Sequence, residues 1–266
     1  MHFKEEKSGE FISTFLTKTV AELLKFIQIT VVDELNAYTV FETLNSRGVE
    51  LTSTDLLKNY LFSLVAKSET DLKAVKDQWK KIVDAIGLKE FPAFLRAYLN
   101  GNSSLVTKDK LFKAVKRKVQ SHSQVLKILD QLESFAYYYN ALSNSEDDFW
   151  AGDKEIKEYI QSLNLFRVTQ CYSLLMVSLD KLEQSEFKKI LKAIVAISFR
   201  YNVIGKLQTN QMESVYNKTA NKISSGEFNK SSEIISDLYE IYIKDDTFRT
   251  YFELKSLNTE NSQQKK

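Results

Sequence analysis

Turn-forming residues are scarce in this chain of 266 residues: seven glycines and a single proline, Pro92, make up about 3% of it, against roughly 12% in an ordinary globular protein. A strand-rich fold needs a tight turn roughly every 8–12 residues, so an all-β sandwich or barrel is excluded. Cysteine is limited to Cys171, which rules out a disulfide framework. Histidine is limited to His2 and His122, far apart in the chain, so no set of metal ligands converges and no metal site is expected. Neither sign of charge dominates, with 37 Lys and Arg against 35 Asp and Glu. A strongly basic nucleic-acid domain is thereby excluded, and any contact with a polyanion must be local. No run of 18 apolar residues and no signal peptide occurs, so no membrane partner is expected and the reading is cytoplasmic. A Walker-type loop, a GxSxG elbow and an HExxH helix are all missing too.

Apolar residues account for 43% of the chain, enough for a sizeable core. Helical periodicity dominates, and the expected fold class is mainly α, a multi-helical bundle with one short N-terminal β-strand. Residues 10–25 carry Phe11, Phe15, Leu16, Val20, Leu23 and Leu24 at helical spacing, and 26–32 alternate as a strand does. Further helices are predicted near 37–44, 53–68, 72–86, 91–99, 107–120 and 122–142, then near 155–163, 167–182, 186–204, 210–224 and 231–243. Three regions are expected: 1–68, 69–255 with a subdivision near 143–152, and a polar, disordered tail at 256–266.

The most specific stretch is Phe41–Leu51, FETLNSRGVEL, running into TSTDLLKNYLF. Ala37, Val40, Phe41 and Leu44 form one apolar stripe, Asn45 ends that helix, and Gly48 supplies the positive φ of a cap or tight turn. Thr52 and Asp55 make a capping box with Asp in place of Glu, and a second helix begins there. On it Leu56, Leu57, Tyr60, Leu61 and Leu64 form the buried face, leaving Asp55, Lys58, Asn59 and Phe62 on the other side, where Phe62 invites a partner. Two readings stand. Asn45, Arg47, Asp55 and Lys58 cap helix ends and pair at i,i+3, or the turn with Arg47 beside a helix N-terminus is a phosphate cradle formed by orphan N–H groups and the helix dipole.

This string, with Asp55-Leu-Leu-Lys58-Asn59, resembles the second signature of the GmrSD-type restriction and phage-defence proteins, a domain of unknown function with a ParB/sulfiredoxin-like fold. Phe91-Pro-Ala-Phe-Leu-Arg96, Tyr137-Tyr138, Val168–Tyr172 and Phe199-Arg200-Tyr201 resemble that family's helical middle region more loosely. The resemblance implies a nucleotide-phosphate site at Asn45, Arg47, Gly48, Asp55 and Lys58, completed by an N-terminal DGQQR motif. The cofactor it implies is GTP or ATP with a divalent cation in a full-length parent, none being held by the chain alone. Some members also carry an HNH nuclease domain. Neither DGQQR nor an HNH-like setting occurs here, so the chain reads as a central fragment, without turnover of its own, whose partners are the parent's N- and C-terminal domains, nucleotide and DNA. The expected strand and residues 1–68 would then be the remainder of the ParB-like domain.

Two rival readings come from the residues themselves. Lys108, Lys110, Lys113, Lys116, Arg117 and Lys118 cover the outer face of a helix whose core stripe is Leu111, Phe112, Val115 and Val119. That face is either solvated or a sequence-independent contact for DNA phosphates. A protein-interaction scaffold built on Phe62 and Tyr137–Tyr139 is the other rival, since three consecutive tyrosines cannot all face a core. Cys171 is expected to be a small core hydrophobe within an apolar helix, and Arg200 to neutralise a helix C-terminus. The adjacent carboxylates at Asp33-Glu34, Asp147-Asp148 and Asp245-Asp246 suit solvated or capping roles and nominate no catalytic pair.

Overall fold

A computed structural model describes residues 9–23, 53–103 and 105–255. Among them every regular element is helical. The predicted strand at 26–32 and the helix at 37–44 lie outside the described residues, as does the tail.

Helix α1 (Gly9–Thr14) runs on into a π-helical stretch, Phe15–Leu23. The first helices of the main body are α2 (Ser53–Val65), α3 (Glu69–Ile86) and α4 (Phe91–Asn102). Ser68 caps α3 by accepting from the Asp71 amide at 3.3 Å, and Gly87 closes it at φ 80°, as the sequence signals require. Pro92 sits in the first turn of α4, where its missing N–H breaks no hydrogen bond. The segment predicted as one helix over 107–120 divides into a short 3-10 turn, Lys108–Lys110, and α5 (Leu111–Lys118). Helix α6 (His122–Ser143) opens with a complete Ser121–Gln124 capping box.

The polar connection at 144–153 is anchored from within. Trp150 is buried, its indole N–H donates to the Ala141 carbonyl at 2.7 Å, and its ring stacks on Phe187 at 5.8 Å. Helices α7 (Lys154–Phe166), α8 (Tyr172–Lys181) and α9 (Gln184–Ser198) follow, with a π turn, Phe199–Ile204, at the end of α9. Helix α8 starts five residues later than the periodicity suggests. Arg167 takes a left-handed conformation (φ 57°) that stops α7, and Cys171 becomes the residue before α8 rather than a residue within it. Next come α10 (Thr209–Ser224) and α11 (Ser231–Asp237), the latter tightening into a 3-10 turn, Leu238–Ile241. A last helix, α12 (Asp245–Glu253), was not predicted; it carries Phe248, Tyr251 and Phe252 at helical spacing but buries no residue fully.

Helices α4, α8 and α10 pack against one another at the centre. Helix α6 spans from α2 and α3 to α8, while α7, α9 and α11 close the other side. Gly101 in α4 permits the closest approach, because a Cβ there would lie 2.8 Å from both the Ser173 carbonyl oxygen and Val177 Cγ2 on α8. Phe91, Phe94, Leu95, Leu99, Leu174 and Leu175 are essentially inaccessible in this centre, and each contributes about 1.5–3 kcal/mol of apolar burial. Arg200 reaches away from its own helix end. It donates to the Ile243 carbonyl at 2.9 Å and to Asp245 at 2.7 Å, between the rings of Tyr242 and Phe248 at 4.7 and 4.5 Å. It therefore staples α12 to the π turn, instead of serving the α9 dipole as expected.

Candidate functional site

The signature's second helix is α2, and its faces divide nearly as the sequence suggests. Leu57, Tyr60, Leu61 and Val65 are buried, whereas Leu56 and Leu64 are only half-buried. Asn45, Arg47, Gly48 and the capping residue Thr52 lie outside the described residues. Asp55 and Lys58 are placed, and they share the wall of one pocket.

That pocket, of about 440 Å³, lies between α2 and α3. From α2 it takes Thr54, Asp55, Lys58 and Phe62, and from α3 Lys76, Trp79, Lys80, Val83 and Asp84. The helical repeat explains the set: positions 55, 58 and 62 share one face of α2, and 76, 80 and 83 share one face of α3. Phe62, expected to await a partner, instead meets Trp79 edge-on at 6.4 Å and forms the apolar floor. The Lys58 and Lys76 ammonium groups stand 5.8 and 6.0 Å from the centre of its ring, so the floor itself favours cationic walls.

Three lysines thus converge on one pocket, and none of them forms an ion pair among the described residues. At the α2 end Thr54 is 3% exposed and its hydroxyl has no hydrogen-bond partner among the described residues. A buried hydroxyl without a partner costs about 1–3 kcal/mol, which an acceptor entering the pocket would recover. Lysine walls, an orphan donor and the first turn of a helix together suit an oxygen-rich anion. Lys76, Lys80 and Thr54 were not nominated from the sequence. The first two sit on a helix whose apolar stripe alone drew attention, and only its crossing with α2 brings them beside Lys58.

The opposite side of α2 holds the basic helix. The Tyr60 hydroxyl donates to the Val119 carbonyl at 2.6 Å, and its ring meets Phe112 edge-on at 5.9 Å. Burial pushes the Tyr60 phenol up. Leu111, Phe112, Val115 and Val119 are buried as predicted, and Lys108, Lys110, Lys113, Lys116, Arg117 and Lys118 are exposed. The Lys116 ammonium lies over the Tyr60 and Phe112 rings at 5.7 and 5.6 Å. Partial burial, with Arg117 beside it, pushes the Lys118 ammonium down. Asp109 is held below the usual carboxylate range, first by its hydrogen bond with Thr107 and further by Lys110 and Lys113. Of the three consecutive tyrosines, Tyr137 is exposed and meets Phe149 edge-on at 5.2 Å.

Cys171 is fully buried, its thiol 3.8 Å from the Val168 carbonyl, and burial pushes it up to about 12. It is a packed core group. Among the described residues no group of three or more His, Cys, Asp or Glu side chains converges, and no helix is long and apolar enough to cross a membrane.

No curated protein matches the chain. Residues 3–62 do match a family, the GmrSD restriction endonuclease N-terminal domain, and the match ends within α2, on the helix that carries Asp55 and Lys58. Over that segment the chain is similar to the GmrSD-type restriction family.

Proposed function

We propose that the chain works in DNA restriction and anti-phage defence, as the region that senses a nucleoside triphosphate and passes its occupancy on through the helical body. The phosphates, of GTP or ATP with a divalent cation, are bound by Asn45, Arg47 and Gly48, the residues that the resemblance names, together with groups of the α2–α3 pocket. Asp55 and Lys58 contribute from α2, joined by Lys76 and Lys80. The observation that carries this reading is the convergence of Lys58, Lys76 and Lys80, which form no ion pair among the described residues, on a pocket beside Thr54, with Lys58 and Thr54 on the helix where the family match ends.

Occupancy of the pocket has a physical route outward. Helix α2 lies between the pocket and α5, and Tyr60 ties its far side to the Val119 carbonyl. A small shift of α2 on phosphate binding would move the basic helix with it. In this reading cutting falls to an HNH-type nuclease domain such as some members of the family carry.

Equilibrium dialysis of labelled GTP and ATP against the protein tests the site. Arg47→Ala, Lys58→Ala and the double change of Lys76 and Lys80 to Ala should each weaken binding by about tenfold or more, the value of one charge-assisted phosphate contact. Unchanged affinity in all three defeats the assignment.

A second reading is favoured by the exposed basic face of 108–118, where Lys108, Lys110, Lys113, Arg117 and Lys118 form no ion pair among the described residues. In this reading the helix holds DNA by its phosphates, without reading sequence. Each lysine removed should then reduce the slope of log affinity against log salt by about one unit.

A further inference from the structure

A second cavity, of about 360 Å³, opens in the helical body beyond residue 62, outside the segment that matches the family. Its walls come from α4 (Arg96, Asn100), the start of α8 (Gln170, Ser173) and α10 (Glu213, Asn217), with Lys108 on its rim and the Tyr139 and Tyr172 rings along one side. The two rings meet edge-on at 5.3 Å. Arg96 is already engaged, pairing with Glu213 at 2.6 Å and donating through Nε to the Val106 carbonyl at 3.2 Å. Asn100 is engaged too, accepting from the Val106 amide at 2.7 Å.

Two carboxamides are not satisfied among the described residues. Asn217 is 4% exposed, accepts from the Ser173 hydroxyl at 2.5 Å through Oδ1, and leaves its Nδ2 without a partner. Gln170 leaves its buried Oε1 without one. Turning either amide over exchanges which atom is orphaned without satisfying both, so the cavity keeps unmet donor and acceptor capacity. Such capacity in a buried wall is costly unless a ligand answers it.

The pairing edge of a nucleobase presents alternating donors and acceptors, the pattern that Asn and Gln side chains read. Tyrosine rings beside the carboxamides suit a planar heterocycle, as in pockets that receive an extruded base. Lys108 both borders this cavity and begins the exposed basic face of 108–118, so a strand held by its phosphates along that face would bring a base to the cavity mouth. We propose that this cavity receives one unstacked nucleobase of a DNA strand, read by Asn217 and Gln170, with its phosphate drawn to Lys108. The proposal rests on the DNA-contacting reading of the basic face. A free nucleotide shares this chemistry, and the two sources are separable.

The test compares binding of the full chain, by fluorescence anisotropy, to a single-stranded oligonucleotide, to the same oligonucleotide with one abasic position, and to the four nucleoside 5′-monophosphates. The intact strand should bind more tightly than the abasic one, by about 5- to 100-fold. Gln170→Ala, on the half-buried residue ahead of α8, should remove that preference while leaving the salt slope unchanged. Lys108→Ala should weaken intact and abasic strands together. Equal affinity for both strands in the unaltered protein overturns the proposal while the basic-face reading stands. So does a preference that survives Gln170→Ala. Mononucleotides binding as tightly as the oligonucleotide would overturn the strand as the source. No binding to any strand would overturn the proposal together with the basic-face reading.

Discussion

Gly101→Ala sets a helix-propensity gain directly against a packing loss. Gly101 lies inside α4, where alanine is intrinsically better by about 1 kcal/mol. The new Cβ would meet the Ser173 carbonyl oxygen and Val177 Cγ2, each at 2.8 Å, distances that real Cβ atoms essentially never show. One of the two obstacles is backbone on a facing helix, so relief requires α4 and α8 to part along a contact that also carries Leu99 and Leu174. Overpacking of this kind costs about 1–3 kcal/mol, and an obstacle that cannot rotate away places this case at the upper end. Subtracting the propensity gain leaves a net loss of about 2 kcal/mol, which lowers Tm by about 4–8 °C in a chain of this size. Differential scanning calorimetry of the two proteins at one concentration and pH measures it. A Tm equal to or above that of the unaltered protein would refute the claim that α4–α8 contact requires this glycine.

Arg200→Met keeps the aliphatic stem but removes the donors to Ile243 and Asp245, so α12 should exchange its amides about 10- to 100-fold faster while the central helices keep their protection. Hydrogen exchange followed by mass spectrometry reads this, and equal protection of 245–253 in both proteins would contradict the staple. The Cys171 thiol, pushed up to about 12 by burial, should resist a thiol reagent at pH 8 until the protein unfolds; prompt labelling of the native protein would contradict its burial. Glu186 is held down to about 2, first by the Lys189 hydrogen bond and then by the Ser231 amide. Because its folded value lies below its ordinary value of 4.5, its stabilising effect is complete above that ordinary value and is lost as pH falls towards 2. The difference in Tm between the native protein and Glu186→Gln should therefore be constant above pH 5 and close below it, and a gap independent of pH would remove the assignment.

The helical class was legible because scarce glycine and proline leave few places for strands to turn, and because apolar residues recur at helical spacing in most elements. The core stripe of α5 followed from helical periodicity alone. Local rules failed where a neighbour decides the outcome. Cys171 lies before α8 and not within it, because Arg167 ends α7 in a left-handed turn and the chain enters the next helix late. Helix α12 carries a short stripe of its own, Phe248, Tyr251 and Phe252 at helical spacing, which the sequence reading passed over, and Arg200 adds a staple to it. Phe62 had the signature of an unpartnered aromatic, but Trp79 arrives beside it only when α3 folds back on α2. The same crossing supplies Lys76 and Lys80, invisible in a one-dimensional pattern because they stand on the polar face of a different helix. Asn217 was missed for a related reason: within α10 it is one polar residue among many, and only burial against α8 makes its amide conspicuous.

The pocket between α2 and α3 is the centre of the functional account, and photo-affinity labelling tests it most directly. A photoreactive triphosphate, cross-linked to the protein and mapped by peptide mass spectrometry, should label peptides covering 45–62 and 76–88, with the labelling abolished by excess unlabelled nucleotide. Label confined to other peptides, or unaffected by competitor, would contradict the account.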